Sequence, residues 1–194
     1  MKNLFLVAAT FLFALTIYAH ADGPGVTSAK VLELSAHRID RLVSLSKIDS
    51  SFLKKIEKVD VSILVDSAPA YYKVLVSQTQ PSFGSPFQLE IIFDDDGKPL
   101  SFHVLDGGVA GPDQNWPDKD SDSLVENALH YILENNADSK VTLFDKGVSS
   151  FVLSKVNLNN EIVAMGQATS SLTADKLNIY LKLNGTFISA EIIP

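Results

Sequence analysis

Cysteine is absent from this sequence, which removes disulfides, thiolate nucleophiles and thiolate metal ligands together. A chain of this composition has to rely on packing and hydrogen bonding. Basic side chains are scarce, 16 Lys and Arg against 23 Asp and Glu, for a formal charge of −7. Nucleic acids and anionic lipid surfaces are bound by clustered cations, so neither is an expected partner. Tryptophan occurs once, at Trp116. Leu4 to Tyr18 is the one long apolar run, and no later segment approaches the uninterrupted length of a membrane helix. No serine lies in a nucleophile elbow, and there is neither a glycine-rich phosphate loop nor a His-Glu-x-x-His sequence. No catalytic residue, cofactor or metal is therefore predicted.

The N-terminal run has the grammar of a signal peptide. Met1-Lys2-Asn3 is a short basic end, Leu4 to Tyr18 is apolar, and Ala19-His20-Ala21 fits the small-x-small cleavage rule, predicting removal of residues 1–21 before Asp22. No cysteine stands at that point to carry a lipid anchor. The expected location is periplasmic or secreted, with no membrane span after cleavage.

What is present is a sentence written twice. Phe87 to Leu105 aligns without a gap on Asp175 to Ile193, placing Leu89 on Leu177, Ile91 on Ile179, Gly97 on Gly185 and Ser101 on Ser189. Asp96-Gly97 and Asn184-Gly185 are pairs that tolerate positive φ, so each stretch is predicted as a β-hairpin closed by a two-residue type I′ turn. The first then pairs Phe93 with Leu100, Ile91 with Phe102 and Leu89 with Val104. The second pairs Leu181 with Ile188, Ile179 with Ala190 and Leu177 with Ile192. A slip of one residue would turn both apolar faces to water, so the registers are well specified.

In chain order, Thr27 or Ser28 is expected to cap a helix reaching about Ser46, with Leu32, Ile39, Leu42 and Val43 buried. A short helix follows at Ser51 to Glu57, then strands around Val59–Val65 and Tyr72–Ser77 and the first hairpin. Asp106 to Asp120 is rich in Gly, Pro and Asp and reads as a linker. Beyond it, Ser123 and Glu126 form a capping box opening a helix whose stripe is Leu124, Val125, Ala128, Leu129, Ile132 and Leu133. Strands are expected at Val141–Phe144, Ser150–Val156 and Ile162–Thr169, with an extra strand or long arm around Asn157 to Asn160, before the second hairpin. The fold class is therefore α+β: two tandem units, residues 22–105 and 121–194, joined by linker 106–120, each a helix packed on an antiparallel sheet.

Tyr71-Tyr72-Lys-Val-Leu-Val76 after a helix, then Leu89-Glu-Ile-Ile-Phe-Asp94 closing on Asp-Gly-Lys-Pro-Leu100, resembles the PepSY pattern, whose last hairpin carries an Asp-x-x-Gly-Lys signature. The tandem also resembles the β-lactamase inhibitory protein and its relatives. The second half departs from the pattern, with Asn184-Gly185-Thr186 in the turn and no paired tyrosines before it. The resemblance implies an extracytoplasmic binding module of the protein-binding or peptidase-inhibitor type, without catalytic residues. A structural or assembly protein of the cell envelope, and a hydrolase with its site between the units, are the alternatives.

Three histidines lie beyond residue 21. His37 follows Glu33, and His130 follows Glu126, by four residues, the spacing of a solvated i,i+4 helix pair. His103 is expected across from Glu90. Asp118-Lys-Asp-Ser-Asp122 has the alternate spacing that begins a calcium loop, but Ser123 and Leu129 replace its Gly and bidentate Glu; an acidic helix lead-in is the simpler reading. Trp116 either packs over the junction or anchors a partner. With Ile92 and Tyr180 on the non-core side of their hairpins, and Tyr71 and Tyr72 nearby, it completes the candidate partner-binding set for an extracytoplasmic protein or peptide.

Overall fold

The computed structural model describes residues 25–64, 71–78, 88–105 and 119–194. Helix α1, Ser28–Ser44, starts where the Thr27 hydroxyl accepts a hydrogen bond from Lys30 N at 3.2 Å. It stops because Ser46 turns left-handed, φ 54°, letting Lys47 N–H reach Leu42 O and Ser46 N–H reach Val43 O. The short helix α2, Ser51–Lys54, ends earlier than predicted, because Ile56 opens strand β1, Ile56–Leu64. Strands β2, Tyr71–Gln78, β3, Gln88–Phe93, and β4, Pro99–Leu105, follow. The order then recurs: long helix α3, Ser121–Glu134, short helix α4, Thr142–Gly147, and strands β5, Val148–Leu158, β6, Glu161–Ser170, β7, Lys176–Leu181, and β8, Phe187–Ile193.

All eight strands join one antiparallel sheet in the order β4-β3-β2-β1-β5-β6-β7-β8. The predicted α+β class holds, but the strands do not divide into separate sheets. A short seam joins β1 to β5 through Lys58↔Val152, Val59↔Phe151 and Asp60↔Ser150. Alternate positions point to one face, where Val59, Val61, Val74, Val76, Leu89, Ile91, Phe151, Leu153, Ala168, Leu177 and Ile179 are buried in a single core. The helices cover that face, and α1 packs chiefly against α3. Leu32, Ile39 and Leu42 are buried as predicted, and so are Leu124, Val125, Ala128, Leu129 and Ile132; Val43 and Leu133 are half-buried at the edge.

The two helix ends are braced crosswise. Ser28 Oγ donates to Lys146 O at 3.2 Å, and Ser121 Oγ donates to Leu53 O at 2.7 Å while accepting from Ile56 N–H at 3.0 Å. The first residue of each long helix thus satisfies backbone near the short helix of the other half of the chain.

Three sequence expectations are corrected here. The predicted capping box is displaced: the helix begins at Ser121 with Asp120 in the cap position, and Ser123 lies inside its first turn. Val141–Phe144 is not a strand but the start of α4. Asp138 Oδ1 accepts from Lys140 N–H at 2.8 Å and Val141 N–H at 3.2 Å, and Thr142 N–H bonds Asp138 O, so an Asp-capped turn overrides the β-branched composition.

The third correction concerns the turns. Only Gly97, φ 78°, and Gly185, φ 87°, are left-handed at the two hairpin tips; Asp96 and Asn184 are not. A type I′ turn needs two such residues. Instead Gly97 N–H bonds Asp94 O and Asp94 N–H bonds Lys98 O, while Gly185 N–H bonds Lys182 O and Lys182 N–H bonds Thr186 O. These are three-residue loops with a glycine bulge. Phe93 therefore faces Pro99, not Leu100, and Leu181 faces Phe187, not Ile188. A second irregularity, at Ile92/Phe93 and at Tyr180/Leu181, cancels the one-residue offset, so Leu89↔Val104, Ile91↔Phe102, Leu177↔Ile192 and Ile179↔Ala190 stand as predicted. The pair with both residues left-handed is Asn159, φ 52°, and Asn160, φ 68°, which close β5 onto β6 where an extra arm was expected.

Candidate binding face

Opposite the helices, the sheet presents the other set of alternating side chains. On β2 and β3 these are Tyr71, Lys73, Leu75, Glu90 and Ile92, all half-buried. Lys73 Nζ lies 3.7 Å from Glu90 Oε2. Glu90 does face His103 in register, as expected, yet its ion pair is with Lys73. On β6, β7 and β8 the face carries a polar ladder: Gln167 Nε2 donates to Asn178 Oδ1 at 2.9 Å, Asn178 Nδ2 lies 3.5 Å from the Tyr180 hydroxyl, and that hydroxyl donates to Glu191 Oε1 at 2.5 Å. The bond to Glu191 holds the phenol in its protonated form and raises its pKa above 10.0, with a smaller contribution from burial.

Ile92 and Tyr180 both lie on this face, as the hairpin registers require: Ile92 faces Ser101, and Tyr180 faces Ser189. Five strand intervals separate β3 from β7, about 24 Å at the usual spacing, so the two cannot be one hot spot. Tyr71 shares the β2–β3 end with Ile92. Tyr72, whose facing the sequence leaves open, lies apart from the rest of the candidate set. It points to the helix side, where its hydroxyl donates to Val26 O at 2.8 Å and burial, with Asp95 nearby, raises its pKa; it braces the entry to α1. Trp116 lies outside the described residues, as does most of the expected linker 106–120.

The ladder itself was missed in the sequence. Gln167 and Asn178 sit in strands otherwise rich in apolar residues, and a polar residue at an alternating position was the only local signal.

The helix layer carries His37 and His130, but not as same-helix Glu33–His37 and Glu126–His130 pairs. His37 meets Glu126, and His130 stands 4.0 Å from Glu33 and 2.9 Å from Glu134. Lys30 also pairs with Glu33. Among the described residues no group of three His, Asp or Glu side chains is placed to hold a metal ion. Asp120 and Asp122, the described aspartates of the Asp118–Asp122 run, act as helix cap position and buried first-turn residue. No helix among the described residues is long and apolar enough to cross a membrane.

No family model matches this chain, and no curated protein matches it. Among solved structures, a candidate lipoprotein from Clostridium difficile 630 aligns over 89% of this chain and 97% of its own at 12% identity, with a TM-score of 0.29. The Bacillus megaterium YpeB C-terminal domain aligns over 89% and 68% at 11% identity, with a TM-score of 0.27. Likeness at that level carries no conclusion about this chain's activity.

Proposed function

We propose that this chain is an exported, non-enzymatic binding module: a signal peptide at 1–21 and two PepSY-like units, 22–105 and 121–194, fused edge to edge into one sheet that docks an extracytoplasmic protein or peptide. The observation that carries this reading is the sheet face that no described helix covers, eight strands wide, with half-buried Ile92 and Tyr71 at one end and the Gln167–Asn178–Tyr180–Glu191 ladder at the other. Broad, preformed sheet faces with aromatic and paired polar groups suit protein partners better than small substrates. The duplication is supported by the repeated element order, the matching glycine-bulge tips and the reciprocal Ser28 and Ser121 bonds.

The test is capture of extracytoplasmic proteins by the mature chain and by two face variants, Ile92→Lys and Tyr180→Lys. Loss of the same partner in either variant, with an unchanged melting temperature and with retention by a helix-layer variant such as His37→Gln, supports the reading. Retention by both face variants removes this face from the function. Trp116→Ala in the same assay separates an anchor, which lowers capture at constant melting temperature, from a packing residue, which lowers the melting temperature alone.

A further inference from the structure

The two long helices match position by position at their starts: Thr27 and Asp120 occupy the cap positions, Ser28 and Ser121 follow, and the next residues are Ala29 and Asp122. Both of these are buried, Ala29 at 0% exposure and Asp122 at 6%. The fold therefore builds this position with a methyl group on one side and with a carboxyl group on the other. The N–H of the adjacent Ser123 donates to Asp122 Oδ1 at 2.8 Å. Among the described residues, the charged groups that bear on it are acidic: Asp40 from α1, and Asp120 and Glu126 of its own helix. The nearby α2 ends in Lys54, which is exposed. A carboxylate in such a place is desolvated and repelled, and the matching Ala29 shows that packing does not require it there.

We propose that Asp122 is a pH-sensitive brace: neutral, it closes the α1–α3 junction onto the central strand β1, and on losing its proton it loosens the first turn of α3. The link to β1 runs through the preceding residue, Ser121, which ties α3 to Leu53 O of α2 and to Ile56 N–H of β1. Burial first, and then the charges of Asp120, Asp40 and Glu126, push the Asp122 carboxyl up to about 7, against the downward pull of the Ser123 N–H. The folded state then holds a proton that the unfolded chain releases near pH 4. Stability from this group is full below about pH 4, falls as pH rises toward 7, and is level above that. The direction is opposite to that of an ordinary paired carboxylate.

The full mature chain tests this in two ways. The Asp122 side-chain carboxyl should titrate near neutrality by carbon NMR. Amide-exchange protection of Ile56 and of residues 123–125, corrected for intrinsic rates, should drop about tenfold or more between roughly pH 5.5 and pH 8.5. Asp122→Asn and Asp122→Ala should both remove that drop and unfold at higher denaturant concentration than the parent at the alkaline end. The alanine variant reproduces a packing the fold already uses at Ala29, which guards against a misfolded control. An Asp122 carboxyl titrating near pH 4, or protection that falls equally in parent and variants, overturns the proposal.

Discussion

His37 reaches across the helix pair to Glu126, with Nε2 3.3 Å from Oε1, and leaves Glu33 of its own helix to His130. The exchange follows from the α1–α3 contact: residues one turn apart on each helix flank the crossing, so the nearest opposite charge is on the neighbour. The imidazoles are more than half exposed, and in the His37–Glu126 pair the carboxylate is partly exposed as well, so solvent screens that pair. A double-mutant cycle on His37→Gln and Glu126→Gln should give a coupling below about 1 kcal/mol at mildly acidic pH, vanishing in high salt. A coupling of several kcal/mol would mean the pair is desolvated and the crossing tighter than described.

At the second hairpin tip, Gly185→Val should destabilise the protein by more than about 1 kcal/mol in denaturant unfolding. The residue sits at φ 87°, and an added Cβ would come 2.5 Å from Asn127 Nδ2 and 2.9 Å from Lys119. Gly97 is matched in conformation, φ 78°, but there the Cβ would meet Leu34 at 2.7 Å. Gly97→Ala should therefore also cost stability. A parent-like midpoint for either variant would contradict the left-handed glycine assignment.

Under the ring of Phe151, Gly166 is a contact position. A Cβ there would stand 2.3 Å from Phe151 Cζ, and that ring is fully buried. Gly166→Ala should cost about 1–3 kcal/mol by overpacking. Phe151→Leu should be costly alone, yet the double variant should lose less than the sum, because the smaller side chain leaves room for the new methyl. Strict additivity would show that the backbone of β6, and not the ring, absorbs the change.

Ultraviolet titration of the tyrosines should show Tyr180 ionising above the ordinary phenol range, since Glu191 accepts the phenol's hydrogen bond and a phenolate beside that carboxylate is disfavoured. In Glu191→Gln the Tyr180 transition should move down toward 10. No movement would leave the ladder without its terminal bond.

Hairpin bodies, helix stripes and the orientation of Ile92 and Tyr180 were legible because they rest on periods of two and 3.6 residues within one stretch of chain. The tips differ from the reading because Asp-Gly and Asn-Gly fit two loop types, and the backbone bonds at the tips, Asp94 with Lys98 and Lys182 with Thr186, decide between them. Asn159-Asn160 carried the true signal of a tight turn but lay in a stretch with no obvious strand end. The α4 segment was lost because Val141, Thr142 and Phe144 favour strands, while the capping carboxylate sits three residues earlier at Asp138. The β1–β5 seam leaves no local trace, since it joins Val59 to Phe151 through an apolar pairing that any two strands could make. For the same reason the crossed histidines were misassigned: spacing shows which residues share a helix face, not which helix lies opposite.

The reciprocal serine bonds have a consequence for dividing the chain. A polypeptide ending at Leu105 contains the first four strands but leaves Leu53 O and Ile56 N–H without Ser121, and one beginning at Lys119 leaves Lys146 O without Ser28. Each fragment exposes the backbone groups that the other was built to fill, together with one open edge of the β1–β5 seam. Split between those residues, the protein becomes a pair of complementing fragments, each incomplete alone and each the template on which the other finishes folding.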